Sequence, residues 1–116
     1  VFRAFTRIQA LRAATVAATE PYDYVLSPVS PGLPFAAEAN NSGSPHLLKD
    51  AHFTSVFNQS NQPAASICCG YSMGGLPIGL QISGRLFDDA GVLQMAAFYE
   101  ALRPAPAKWP EPHRSA

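Results

Sequence analysis

Leu76-Pro77-Ile78-Gly79-Leu80-Gln81-Ile82-Ser83-Gly84 alternates aliphatic side chains with small or polar ones. A period of two places Leu76, Ile78, Leu80 and Ile82 on one face, the pattern of a strand packed on one side. Upstream, Ala64 to Gly70 is apolar and of strand length. Between them lies Tyr71-Ser72-Met73-Gly74-Gly75, whose consecutive glycines suit positive φ, so the two runs predict an antiparallel hairpin. Downstream, Asp88 and Asp89 are placed to cap and charge the start of a last helix. In it Val92, Met95, Ala96, Tyr99 and Leu102 form the expected buried stripe.

Working toward the N-terminus, Leu48 to about Asn58 can form a short helix. Before it, Pro28 to about His46 is rich in Pro, Gly, Asn, Ser and Ala and reads as a long loop. Tyr22-Asp23-Tyr24-Val25-Leu26-Ser27 is aromatic and β-branched, a strand that Pro28 ends. Phe2 to Thr19 has no Gly or Pro, and Phe2, Phe5, Ile8, Leu11 and Thr15 fall on one helical face. Glu20-Pro21 stops that packing helix, because a residue before proline avoids the helical region. Pro104, Pro106, Pro110 and Pro112 make residues 104–116 an irregular tail, from which Trp109 can fold back onto the body. The organisation is helix, strand, long loop, short helix, strand hairpin, helix over residues 1–103, then the Pro-rich tail.

Composition limits what such a chain can do. Of 116 residues, eight are Lys or Arg and eight Asp or Glu, so no basic field recruits nucleic acid. No apolar run is long enough to span a membrane, and no secretory leader pattern appears. Cys68 and Cys69 are adjacent, a spacing that disfavours a disulfide, so free thiols and a cytoplasmic setting are expected. As buried small hydrophobes they would need no further role. His46, His52 and His113 are scattered and suggest no metal site. Charged residues make up only 14%, against roughly 25% in an ordinary soluble domain. A small domain should need more charge than average. The chain also opens on Val1 directly into a helical pattern. Both features fit a segment of a larger body, with apolar surface left bare and a tendency to self-associate.

One motif invites a catalytic reading. Gly70-Tyr71-Ser72-Met73-Gly74 matches the Gly-x-Ser-x-Gly nucleophile elbow, with Asp88 or Asp89 and then His113 following in permissive order. A small serine hydrolase using Ser72 is therefore one alternative. The context opposes it, because an elbow needs a helix immediately after the serine to support the oxyanion hole. Here Pro77, Gly79 and alternating aliphatics follow, and His113 sits in the proline-rich tail.

The stretch from Phe53 to Leu102 resembles the C-terminal part of the amidase-signature enzymes. The resemblance rests on Phe57-Asn58-Gln59-Ser60-Asn61-Gln62-Pro63-Ala64, on Cys69-Gly70, on Gly75 through Gly84, and on Phe87-Asp88-Asp89-Ala90. Tyr24-Val25-Leu26-Ser27-Pro28 is similar to the family's strand leading into a Pro-rich loop. The resemblance implies an α/β fold, the C-terminal part of an α/β/α sandwich around a mixed sheet. It implies amide hydrolysis or transamidation by a Ser-cisSer-Lys triad, without cofactor, on a small amide substrate. That triad lies upstream of the matched region in the family; Lys49 and Lys108 do not sit in its lysine motif. No residue of this chain is therefore assigned a catalytic role, and the chain alone is expected to be inactive. Asn58, Asn61 and Gln62 could offer amide donors and acceptors to a substrate, or could cap the short helix and satisfy loop backbone. Gln81, in the sheet, is expected to bond to neighbouring backbone.

Departures from the family pattern are few. Asn61 stands where glycine is usual and Cys68 where proline is usual. Ala51 stands where the tRNA-dependent amidotransferases carry an aspartate, which favours a general amidase. A non-catalytic domain sharing the scaffold and binding a partner through its apolar face is the remaining alternative.

Overall fold

The computed structural model describes residues 2–39 and 51–103. His46, Lys49, Lys108, Trp109, His113, the end of the long loop, the expected helix start at Leu48 and the Pro-rich tail all lie outside them. The elements are α1 (Phe2–Thr19), β1 (Tyr24–Pro28), α2 (His52–Ser60), β2 (Ala64–Tyr71), β3 (Pro77–Gly84) and α3 (Asp89–Leu102). They follow the predicted order. The long loop runs on from β1 without further helix or strand as far as residue 39.

The predicted hairpin forms, and β3 becomes the centre of a three-stranded sheet of order β1-β3-β2. Both pairings are antiparallel, Leu26 opposing Ile82 on one side and Ala65 opposing Ile82 on the other. The parallel pairs that a mixed sheet requires are not among these three strands. Of the two glycines in the hairpin loop, Gly75 takes the positive φ, 79°. One irregularity interrupts the β2–β3 ladder. Cys68 pairs with Gly79 and Gly70 with Ile78, so Cys69 is an extra residue, a bulge.

Helices cover both faces of the sheet. Gln81 reaches α2, donating from Nε2 to the Phe53 carbonyl at 3.3 Å. Ile82 and Gly84, of opposite parity, face α3, where Val92 packs over Gly84. α1 packs against α2, which completes a helix–sheet–helix layering. The core is small: Phe57, Ile82, Val92 and Ala96 are its buried hydrophobic residues. Asp88 caps α3 as expected, its carboxylate accepting from the Gly91 amide at 3.1 Å, and Asp89 adds charge to the first turn. The helix ends at Arg103, which adopts an extended φ/ψ of −66°/142° ahead of Pro104.

Burial departs from the sequence reading in three places. Along β3 it is graded: Gln81 to Gly84 are buried, whereas Ile78 and Leu76 are 40% and 41% exposed. In α3, Val92 and Ala96 are buried and Met95 and Tyr99 half-buried, but Leu102 lies in the last turn and is exposed. On α1 no residue is buried; Phe2, Phe5, Ile8 and Leu11 present their stripe to solvent. The helix packs through its C-terminal half, where Arg12, Thr15, Val16 and Thr19 are half-buried.

Candidate functional site

Asn58, Asn61 and Gln62 come together at the turn between α2 and β2, beside the C-terminal half of α1. Helix α2 stops at Ser60 because Asn61 turns into the left-handed region, with φ 59° and ψ 27°. Asparagine is the residue after glycine best suited to that conformation, which accounts for Asn61 at a position where the family usually has glycine. With its amide turned to match its neighbours, Asn61 donates to the Asn58 carbonyl and accepts from Arg12 Nη1, each at 3.1 Å. Asn61 thus closes α2 and ties it to α1. The Asn58 side chain is exposed.

Gln62 is placed differently. It is buried, and its Nε2 donates to Thr19 Oγ1 at 2.9 Å and to the Gly84 carbonyl at 3.1 Å. One amide therefore joins the end of α1, the start of β2 and the end of β3. Its Oε1 is buried without a partner, as is Ser83 Oγ. Gln62 also lines a hollow of about 230 Å³ together with Val16, Thr19, Glu20, Arg85 and Leu86. Arg85 closes the rim, with Asp23 at 3.4 Å and the Glu20 and Tyr22 carbonyls as acceptors. The Gln62 junction could not be read from the sequence, because Thr19 and Gly84 are distant in the chain. Gln81 Nε2 donates to Ser27 Oγ at 3.0 Å and to the Phe53 carbonyl at 3.3 Å, a side chain of β1 and the backbone of α2 instead of the neighbouring backbone expected.

Ser72 is a turn residue. Its Oγ accepts from the Leu76 amide at 3.1 Å, and its own amide donates to the Leu76 carbonyl at 2.8 Å. β3 follows it instead of the helix that an elbow requires. Among the described residues no group of His, Cys, Asp and Glu is arranged to hold a metal ion. No described helix is long and apolar enough to cross a membrane. At the far end of β2 both thiols are free; Cys68 is half-buried and Cys69 exposed, so neither takes the expected buried role. For Cys69 the bulge contributes, since it takes the residue out of the ladder.

The Cys68 thiol lies below its ordinary pKa. Desolvation acts to raise it, but hydrogen bonds with the Gly70 backbone, the Tyr71 side chain and the Ile78 backbone, and the Arg103 charge, together outweigh it. Tyr71 is shifted up, chiefly through its hydrogen bond to Cys68.

Comparison with known proteins places this geometry. At 38% identity over 87 residues, the chain resembles a glutamyl-tRNA(Gln) amidotransferase subunit from Thermodesulfovibrio yellowstonii, covering 75% of this chain and 18% of the relative. The corresponding protein from Brevibacillus brevis is 40% identical over 79 residues, 68% of this chain and 16% of that one. The chain thus spans under a fifth of the length of these curated relatives. Among solved structures, the corresponding glutamyl-tRNA(Gln) amidotransferase subunit from Thermotoga maritima superposes with a TM-score of 0.78 at 29% identity, over 98% of this chain and 25% of that one. A 6-aminohexanoate cyclic dimer hydrolase superposes with a TM-score of 0.72, also at 29% identity, over 96% and 27%. Amidotransferase and hydrolase structures thus match it equally in sequence. The sequence model of the family described as Amidase matches residues 2–93, most of the chain, and the chain belongs to the amidase family.

Proposed function

We propose that this chain serves as the C-terminal segment of an amidase-type hydrolase that cleaves carboxylic amide bonds, its Ser-Ser-Lys residues lying outside these 116 residues. The observation that supports this reading most is the combination of family match and bare surface. A stripe of Phe2, Phe5, Ile8 and Leu11 on α1, and Leu26 on the sheet face beside Ile82, are exposed in a chain that matches the family over residues 2–93. Such surface is what a larger sandwich covers. In that setting β1 and β2, the outer strands of the described sheet, are the edges at which further strands would add.

The segment then contributes sheet, closing helices and one wall of a pocket for a small amide substrate. Asn58, Asn61 and Gln62 are the residues of that wall, with Gln62 Oε1 an acceptor left without a partner. Hydrolysis is favoured over tRNA-dependent transamidation by Ala51. It precedes α2 without any side-chain cap, where an aspartate would both cap the helix and match the amidotransferase pattern. The setting is cytoplasmic, and no cofactor is needed. Without its covering body the chain self-associates through the same apolar surface.

The test is arylamide hydrolysis by this chain and by the product of the whole coding region. The reading expects activity only in the longer product, abolished by substitution of its upstream serine. Activity in the 116 residues that disappears in Ser72→Ala would refute it. Inactivity of both, with no Ser-Ser-Lys residues upstream, would leave a non-catalytic scaffold.

A further inference from the structure

A second apolar patch lies on the sheet, beside the point where the chain leaves α3. The bulge is on β2, so β3 alternates without a break, and Ile78 and Leu80 share the α3 side with Ile82 and Gly84. Pro28 of β1 pairs with Leu80 and faces the same way. Pro28 and Ile78 are exposed and Leu80 is half-buried. Across from Ile78 stands Gly70, and a Cβ built on it would meet nothing within 4 Å, so the space beside Ile78 is open. Helix α3 packs on β2 and β3, with Val92 near its start over Gly84. At its other end Arg103 donates from Nη1 to the Cys68 carbonyl at 3.1 Å. Cys68 is the ladder partner of Gly79, between Ile78 and Leu80. The chain therefore leaves α3 at β2, one strand from the patch.

We propose that the segment from Pro104 to Pro110 crosses the open space at Gly70 and seats Trp109 on Ile78, Leu80 and Pro28. The reach suffices. Trp109 is six residues beyond Arg103, up to about 19 Å of polyproline-type chain at ~3.1 Å per residue. Two strand spacings, from β2 across β3 to β1, amount to about 10 Å. The chemistry also matches. Pro104, Pro106 and Pro110 lack the N–H groups of a ladder strand, so such a segment docks through side chains. Proline also restricts the free segment, which lowers the entropy lost on docking. Trp109 is the one tryptophan of the chain, with a large apolar ring for the patch and an N–H that can stay at its wet rim. A short covalent link gives the segment an effective concentration of order mM, which favours it over a second copy at micromolar concentration. The α1 stripe and Leu26 stay bare, so the inference does not depend on the function proposed above.

Because Trp109 is the sole tryptophan, its fluorescence in the 116-residue chain reads the contact directly. The expected emission is blue-shifted from free N-acetyltryptophanamide, with acrylamide quenching reduced severalfold and unchanged on dilution. Ile78→Lys, folded by far-UV circular dichroism, should shift the emission to the red and restore most of the quenching. Ile78→Ala, a milder change, should do so in part. Phe5→Glu, on the α1 stripe, should change neither. Emission and quenching equal to the free indole would overturn the proposal. So would protection that fades on dilution, which would mean that a second copy holds Trp109. Protection lost in Phe5→Glu, or kept in the folded Ile78 variants, would place the indole elsewhere and overturn it equally. The wild-type spectrum needs no variant, so misfolding of a substituted chain does not shield it.

Discussion

Replacing Gly84 with alanine tests the close approach on which the sheet, α3 and the Gln62 junction all depend. Gly84 is the last residue of β3; its amide donates to the Pro63 carbonyl at 3.0 Å and its carbonyl accepts from Gln62. A Cβ built there would stand 2.6 Å from Val92 Cγ2. Carbon atoms prefer about 3.5–4.0 Å, so an overlap of roughly 1 Å must be relieved. Val92 is 3% exposed and β-branched on a helix, so its side chain has essentially one rotamer and nowhere to turn. The relief must come from movement of α3 or of the end of β3, which costs about 1–3 kcal/mol. For a domain of this size that is a fall in Tm of about 4–8 °C per kcal/mol. Val92→Ala alone removes two buried methyl groups, about 1.6 kcal/mol at ~0.8 each. The double variant creates the room that the alanine needs, so its loss should fall short of the sum of the two by about 1 kcal/mol or more. Urea unfolding followed by far-UV circular dichroism on the four proteins measures this. Gly84→Ala as stable as wild type, or strictly additive losses, would show that the packing of α3 on β3 is not as described.

Three further outcomes follow from the same structure. Asn61→Gly relieves the left-handed φ but loses the bonds to Asn58 and Arg12, so it should cost no more than about 1 kcal/mol, whereas Asn61→Val, which loses the same bonds and is also forced to φ 59°, should cost about 1–2 kcal/mol more than glycine, read from urea midpoints. Gln62→Ala removes the donor to Gly84 and Thr19 and should destabilise by about 1–3 kcal/mol, with thermal melts as the check. Phe5→Glu combined with Ile8→Glu should alter stability by less than about 0.5 kcal/mol for each exposed site. The same pair should reduce self-association in sedimentation velocity, and unchanged association would place the contact elsewhere.

Local pattern made the elements legible. The alternation from Leu76 to Gly84, the glycines before it and the aspartates after it required only period, turn chemistry and capping, all of which act over a few residues. The α/β character and the family resemblance were therefore readable from consecutive residues. The candidate wall at Asn58, Asn61 and Gln62 was legible only as a cluster of amides; which of them faces solvent, closes a helix or bridges elements depends on partners far along the chain. Asn61 closes α2, and Gln62 is held by Thr19 and Gly84.

By itself, then, the sequence determined which segments become helix or strand, their bounds to within a few residues, and that little charge is available to cover the surface. Tertiary structure decided that β1 lies beside β3 instead of β2, that the end of β3 is buried while its start is open, and that α1 turns its apolar stripe outward. It also decided that β2 bulges at Cys69 and that Arg103, far along the chain, donates to the Cys68 carbonyl. The physical reason is the same in each case: periodicity specifies which side chains share a face, but only packing between distant segments specifies what, if anything, that face meets.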